Sequence, residues 1–346
     1  MFKPLSPYQG LAAKAYWRPA VAERHYYDLE DLSRPVNITL KDKIATAGSC
    51  FAQHIGRHLQ RSGAHYLDFE PRPDFIPADE AKRWGYETYS CRYGNIYTTR
   101  QLLQLAQEAL TGRNPVDVAW LKDGRYFDAL RPSVDPVGYE NPDDILRLRR
   151  AHLKAVAEMF SSLDVFVFTL GLTEVWESRM DGTAYPTAAG TIIGEHDPAK
   201  YQFRNLRYPE IYGDLKAFIE LLRTVNPGAR VLLTVSPVPL NATASPDHVM
   251  VASCRSKSVL RAAAADIVDD ISEVFYFPSY EIIASHPGRG MFFEPDLRNV
   301  NEAGVNLVMK HFFKAINSGA VVTDSSADED EVICDEDALD KFSEAN

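Results

Sequence analysis

Ile44-Ala-Thr-Ala-Gly-Ser-Cys-Phe-Ala-Gln-His-Ile-Gly-Arg-His-Leu59 reads as three pieces in succession: a short apolar strand, a tight turn at Gly48-Ser49-Cys50, and an amphipathic helix. Outward from it, four further apolar runs recur, Ala64–Phe69, Val165–Leu170, Arg230–Val238 and Val274–Phe277, rich in β-branched or aromatic residues like the first run, Lys43–Ala47. The segments Ala52–Ser62, Thr99–Leu110, Asp143–Leu163, Tyr212–Val225 and Ser256–Ile271 carry apolar residues at i, i+3, i+4 spacing, as covering helices do. The alternation predicts an α/β fold: a three-layer α/β/α sandwich around a mostly parallel five-stranded sheet. Ligand crevices in such sheets open at the carboxyl ends of the strands, so the residues just after the runs are the first candidates for chemistry.

Three stretches break the alternation: Pro71–Cys91, Gly112–Asn141 and Glu177–Pro209, all rich in Pro, Gly, Tyr and Asp. They exceed minimal connections and read either as surface elaboration or as walls over the strand ends. Residues 1–42 read as an irregular arm, and residues 43–322 as the α/β domain. Of 346 residues, 45% are hydrophobic, enough for a substantial core. The formal charge of -11 is concentrated at one end: residues 323–346 hold ten acids against Lys341, while the rest is nearly neutral. This argues against nucleic acid or an anionic membrane as the main partner. The acidic tail is expected to be disordered, with Val332, Ile333, Leu339 and Phe342 available as a short amphipathic helix for a protein partner. No apolar leader or membrane span is visible, so a cytoplasmic location is expected. The cysteines Cys50, Cys91, Cys254 and Cys334 are far apart, with no metal-binding or disulfide spacing, so any that matters acts as a thiol.

The Gly48-Ser49-Cys50 turn puts a hydroxyl and a thiol at the mouth of the sheet. Free N–H groups at a helix start stabilise a thiolate and lower a thiol pKa; the plain alternative is a small-residue turn with Ser49 as helix cap. Three more polar turns occur in the right places: Tyr93-Gly-Asn-Ile-Tyr97, Gly171-Leu-Thr-Glu-Val-Trp176 after a strand, and Asp296-Leu-Arg-Asn-Val-Asn-Glu-Ala-Gly304 before a helix.

Gly48-Ser49-Cys50-Phe51-Ala52 resembles the signature of the GSCFA domain family, which is distantly similar to the SGNH/GDSL esterases and acyltransferases; the resemblance spans Lys43 to Phe313. It implies an SGNH/flavodoxin-like fold and places Cys50 at the nucleophile, or Ser49 if the register shifts by one. It implies an oxyanion hole from Gly94 with Asn95 beside it, and from Thr173 where the superfamily has Asn. The Asp-x-x-His block that supplies the base reads Asp296-Leu297-Arg298-Asn299 here, so Asp296 is kept and the base position holds Asn299. Asn takes no proton from a thiol or hydroxyl at neutral pH. His286, His248 and His54 are the alternatives for a base, and Cys50 needs less help than a serine does.

Glu174 and Trp176 suit a sugar, with a carboxylate for hydroxyls and an indole for the ring; the bland reading is a helix-start Glu and a core Trp. Arg255, Ser256-Lys257-Ser258 at a helix start, and Arg289, Arg298 and Lys310 suit a phosphate or the pyrophosphate of CoA. No phosphate-binding, dinucleotide or zinc-protease motif occurs, and the tail acids lack metal-site spacing. The resulting expectation is acyl transfer, as O-acyltransferase or esterase, on a carbohydrate or polysaccharide precursor. No cofactor is expected, though acyl-CoA is a candidate donor, and Asn299 joins Glu174 and Trp176 as a substrate contact. The rival is a non-catalytic glycan- or nucleotide-sugar-binding protein on the same fold. The catalytic reading expects one thiol of depressed pKa.

Overall fold

The computed structural model describes residues 6–29, 31–316 and 332–343. Its elements run β1 (Ile44–Gly48), α1 (Ala52–Arg61), α2 (Thr99–Thr111), β2 (Ala119–Lys122), β3 (Arg125–Asp128), α3 (Pro142–Ser162), β4 (Val165–Leu170), β5 (Glu174–Ser178), β6 (Ala184–Tyr185), β7 (Tyr201–Asn205), α4 (Tyr208–Val225), β8 (Arg230–Val235), α5 (Val249–Asp270), β9 (Val274–Phe277), α6 (Ser279–Ala284) and α7 (Glu302–Ala315).

The central sheet has four parallel strands in the order β1-β4-β8-β9. β1 and β4 are buried along their whole length, as strands covered on both faces must be, which is why they read as unbroken apolar runs. Alternate residues face opposite ways. Ala45, Ala47, Phe166, Phe168, Val231 and Leu233 pack with residues of α2, α3, α4 and α5, among them Leu102, Phe160, Phe218 and Leu260. Ile44, Val165, Val167, Leu232 and Phe277 pack with Ile55 and Leu59 of α1, Ile282 of α6 and Val308 and Phe312 of α7.

The expected fifth strand, Ala64–Phe69, is not one. It touches the free edge of β1 through a single parallel bridge, Ile44 to Tyr66, with N–H donors from Ile44 to His65 O and from Leu67 to Ile44 O. By Phe69 the chain has turned away, its N–H donating to Ser90 O instead. Because residues 65–67 and β4 lie on opposite edges of β1, the connections reverse direction there, and the crevice between the ends of β1 and β4 is the switch point where ligands bind in open α/β sheets.

The long interruptions contain structure of their own. β2 and β3 form a hairpin through Asp123 and Gly124, both at positive φ as a tight primed turn requires. β5, β6 and β7 form a small antiparallel sheet in the order β6-β5-β7, so Glu174 and Trp176 sit on a strand rather than at a helix start. Trp120, Tyr185, Ile193 and Tyr201 form a cluster between the two. The N-terminal arm packs on the α6–α7 side: the Tyr26 hydroxyl donates to Ile282 O at 2.5 Å and Val36 N–H to Ala315 O at 2.9 Å. Among the described residues, no helix is long and apolar enough to cross a membrane.

Candidate active site

β1 ends at Gly48 with φ 141°, and a Cβ placed there would lie 2.5 Å from Thr169 O and 2.7 Å from Thr169 N. Only glycine lets β1 and β4 close together here. Ser49 N–H then donates to Thr169 O at 3.1 Å, Ala52 N–H to Ser49 O at 2.8 Å, and α1 begins. Ser49 does not cap that helix: Phe51 holds the cap position with no side-chain bond, and the buried Ser49 Oγ has no hydrogen-bond partner.

Three of the polar turns meet at this point. Ile96 N–H donates to Gly48 O at 2.9 Å, which draws Tyr93–Tyr97 alongside β1, and the N–H groups of Gly171 and Leu172 both donate to Tyr97 O. A Cβ on Gly171 would lie 3.0 Å from Ser49 Cβ. Gly94 takes the left-handed turn, φ 67°, that delivers Asn95. Asn95 is buried and accepts from the Tyr89 hydroxyl at 2.6 Å, while that hydroxyl also reaches Ser49 O at 3.1 Å. The fourth turn arrives through Arg298 alone.

The structure separates several expected partners from this centre. Thr173 is fully committed, its N–H accepted by Ser256 Oγ at 3.0 Å and its hydroxyl by Asn205 Oδ1 at 2.7 Å, so it does not complete an oxyanion hole. Asp296 is exposed and accepts from Arg298 N–H, Asn299 N–H and Asn299 Nδ2; partial burial pushes its carboxyl up, but these bonds hold it below the usual range. Asn299 is thus tied to Asp296 rather than placed as a substrate contact. His286 is exposed and stacks on Trp17 of the N-terminal arm at 5.4 Å. His248 is exposed and caps α5, accepting from Met250 N–H. The His54 ring packs against Phe51.

Other residues surround Cys50 instead. The buried thiol is hydrogen-bonded to Cys334, and that bond, together with burial, pushes it well above the ordinary thiol range, opposite to the expected depression. On Cys334 the same bond acts the other way, and Arg298, whose Nη2 donates to Cys334 Sγ at 3.4 Å, favours its thiolate against burial. Lys257 is only 3% exposed and its Nζ donates to Gly171 O at 2.7 Å. Burial pulls its pKa down to about 8, with Glu336 and Cys50 opposing. Lys257 lies in the third turn of α5, not at a helix start, because α5 begins at Val249. A lysine on the apolar stripe that holds Ala252, Ser253, Ser256 and Leu260 was the sequence signal for it.

Cys334 belongs to the tail. Residues 323–331 lie outside the described residues, but 332–343, expected as part of a disordered tail or as a helix for a partner, cross this molecule's own strand-end crevice, with a 3₁₀ helix at Asp335–Phe342. Gln53 grips Ile333 twice, accepting from its N–H at 3.1 Å and donating to its carbonyl at 2.7 Å. Asn95 Nδ2 donates to Asp335 Oδ2 at 3.0 Å, Asp335 N–H to the Tyr97 hydroxyl at 3.0 Å, and Arg298 to Glu336 at 3.3 Å and Asp337 at 2.7 Å. Beyond lies a cavity of about 210 Å³, bounded by Glu174, Trp176, Tyr185, Thr243 and, from the tail, Glu336 and Leu339. Thr243 Oγ1 donates to Glu174 at 2.6 Å, and burial raises that carboxyl.

Comparison with solved structures finds a family 3 carbohydrate esterase from Talaromyces cellulolyticus, 15% identical over 64% of this chain and 89% of that one, TM-score 0.28. It also finds a Clostridium thermocellum family 3 carbohydrate esterase, 12% identical over 80% and 94%, TM-score 0.28. An acetyl esterase mutant with an acetate ion is 16% identical over 64% and 91%, TM-score 0.27. At these scores the likeness does not extend to activity. No curated protein matches the chain. The family comparison matches residues 43–312, a span that runs from the start of β1 into α7 and contains the Gly48-Ser49-Cys50 turn, Asn95, Lys257 and Arg298 but not the tail: the chain belongs to the GSCFA family.

Proposed function

We propose that this chain transfers acyl groups, as an O-acyltransferase or esterase on a carbohydrate or polysaccharide precursor, with Cys50 as nucleophile. The observation that carries the reading is the placement of one thiol at the β1–α1 turn with two cations, Lys257 and Arg298, within electrostatic reach. The Cys50 thiolate attacks the acyl carbonyl, the carbon–sulfur bond forms, and the donor's alcohol or thiol leaves with the proton that Cys50 gave up. A sugar hydroxyl or water then attacks the thioester, its proton returns to Cys50, and an O-acyl ester or free acid leaves. With Cys334 and Glu336 withdrawn from it, Cys50 needs no histidine, because a thiol ionises closer to neutrality than a hydroxyl and the two cations favour its anion. Asn95 Nδ2, held by Asp335 in this structure, and the Cys50 N–H are the donors for the oxyanion, each worth about 3 kcal/mol of barrier in comparable sites. An acyl-CoA is the donor that fits a cationic crevice, and the neighbouring cavity with Glu174 and Trp176 suits the acceptor sugar.

The similarity of the family to the SGNH superfamily supports the same reading. The test is turnover of p-nitrophenyl acetate and acetyl-CoA by the double variant Ser49→Ala/Cys50→Ala, which is expected to lose at least about 10³-fold. Retained activity overturns the mechanism. A non-catalytic glycan or nucleotide-sugar binder is favoured by one observation, the commitment of Asp296 to Asn299. That reading predicts sugar binding unaffected by loss of both Ser49 and Cys50.

A further inference from the structure

Two of the tail's carboxylates, Glu336 and Asp337, meet the one guanidinium of Arg298. The charged or titratable groups facing Arg298 are Glu336, Asp337 and Cys334 of the tail, then Cys50 and Lys257, with Asp296 on its outer side bound to the Arg298 main chain. Those facing Lys257 are Glu336, Cys50 and Arg298 itself. Both cations are largely removed from water, the Arg298 side chain being 11% and Lys257 3% exposed. Two buried cations of like sign, beside a thiol, are costly without an anion between them. Glu336 is that anion here, paired with Arg298 at 3.3 Å, within longer electrostatic reach of Lys257, and itself 7% exposed. Asp335 meanwhile takes the amide of Asn95, the group proposed for the oxyanion.

Lys257, Arg298, Asn95 and Cys50 all lie within the family's matched span, which ends at residue 312, and the acidic segment laid against them lies outside it. We propose that residues 332–343 are a tethered stand-in for the substrate: the Lys257–Arg298 pocket is built for an oxyanion carried by the substrate, and Glu336 with Asp337 occupies it in the closed state. The inference rests on the reading of the Cys50 turn as the reacting centre and adds two things to it, the charge of the substrate and the regulation of access. Closing the strap also places Cys334 and Glu336 against Cys50, and both hold its thiol in the neutral form, so the closed state is chemically silent as well as covered.

The oxyanion has two sources in the proposed reaction, the pyrophosphate of a CoA-type donor and the carboxylate of an acidic sugar. Hydrogen–deuterium exchange of the full-length wild-type chain distinguishes them, with inorganic pyrophosphate, D-glucuronate and sodium chloride of matched ionic strength as separate additions. An anion that competes for the pocket multiplies the open population by 1 + [L]/Kd, so at ten times its Kd the exchange of the Ile333 and Asp335 amides is expected to rise about tenfold. A rise with pyrophosphate assigns the pocket to the donor, and a rise with glucuronate assigns it to the acceptor. No rise with either, or a rise that chloride reproduces, overturns the proposal. In a second measurement, Glu336→Gln/Asp337→Asn is expected to raise alkylation of Cys50 by iodoacetamide at pH 7 at least about tenfold, with the effective anion restoring protection. Unchanged alkylation in a variant whose tail exchanges freely also overturns it. Neither readout needs turnover, so a chain that binds the anion but never carries an acyl group refutes the proposed function and leaves the pocket standing.

Discussion

Gly48 is where the sequence commits the site. Its positive φ and the absence of a Cβ allow the turn to lie on Thr169, and from that contact follow the positions of Ser49, Cys50 and the start of α1. Gly48→Ala forces a methyl group into the β4 main chain and is expected to cost about 3 kcal/mol or more, read as a fall in the thermal midpoint; a midpoint within a degree or two of wild type contradicts the close packing. This turn was legible because glycine, small polar residues and a following amphipathic stretch are local signals. The environment of Cys50 was not. The turn suggested a thiolate stabilised by the helix start, yet a bond to Cys334, 284 residues away, and burial act in the opposite sense. Lys257 and Arg298 were noted as anion-binding residues, but nothing along the chain states that they face the same thiol.

At the scale of elements, α2, α3 and the β2–β3 hairpin are joined by buried charge. Arg149 of α3 donates to Glu108 of α2 at 3.0 Å and to Asp128 of β3 at 3.4 Å, and Arg131 donates to Asp128 at 2.8 Å. Arg149→Met leaves Glu108 buried without its partner and is expected to cost about 3–5 kcal/mol by chemical denaturation; a neutral result contradicts the network. His152, on the same helix, is buried, and its Nδ1 meets Glu70 at 2.6 Å. Burial, with Arg131 adding to it, pulls its pKa down to about 4 despite Glu70, so it is neutral in the fold. In the unfolded chain it binds a proton near pH 6.5, and protonation therefore favours unfolding: stability falls as pH drops from 6.5 towards 4, by up to about 3 kcal/mol. His152→Gln is expected to flatten that stretch of the stability–pH curve, and an unchanged slope contradicts the assignment. The hairpin itself was overlooked although Asp123-Gly124 is a strong local turn signal; its surroundings, dense in Pro and Gly, masked two strands of four residues each. Ala64–Phe69 failed the other way: its residues are half-buried or exposed, and an apolar run does not show that a segment continues along its neighbour.

At the scale of the whole molecule, the parallel sheet and its covering helices followed from the period of apolar residues, and the placement of chemistry at the strand ends followed from the topology. The docking of the tail did not follow, because its receptor is assembled from Gln53, Asn95, Tyr97, Asn241 and Arg298, which lie together only after folding. Of the tail's apolar residues expected to meet a partner, Val332 packs against the core beneath α7 and Leu339 lines the cavity, Ile333 is held through its main chain, and Phe342 stays exposed. The account as a whole stands on one covalent event. Intact-mass spectrometry with peptide mapping, on the wild type and on Glu336→Gln/Asp337→Asn after incubation with acetyl-CoA or p-nitrophenyl acetate, tests it directly. Acyl transfer through Cys50 predicts an acetyl group on that residue, more of it in the tail variant, retained in Ser49→Ala and lost in Cys50→Ala. An unmodified Cys50 in a variant whose tail is open, or an adduct that persists without Cys50, contradicts it.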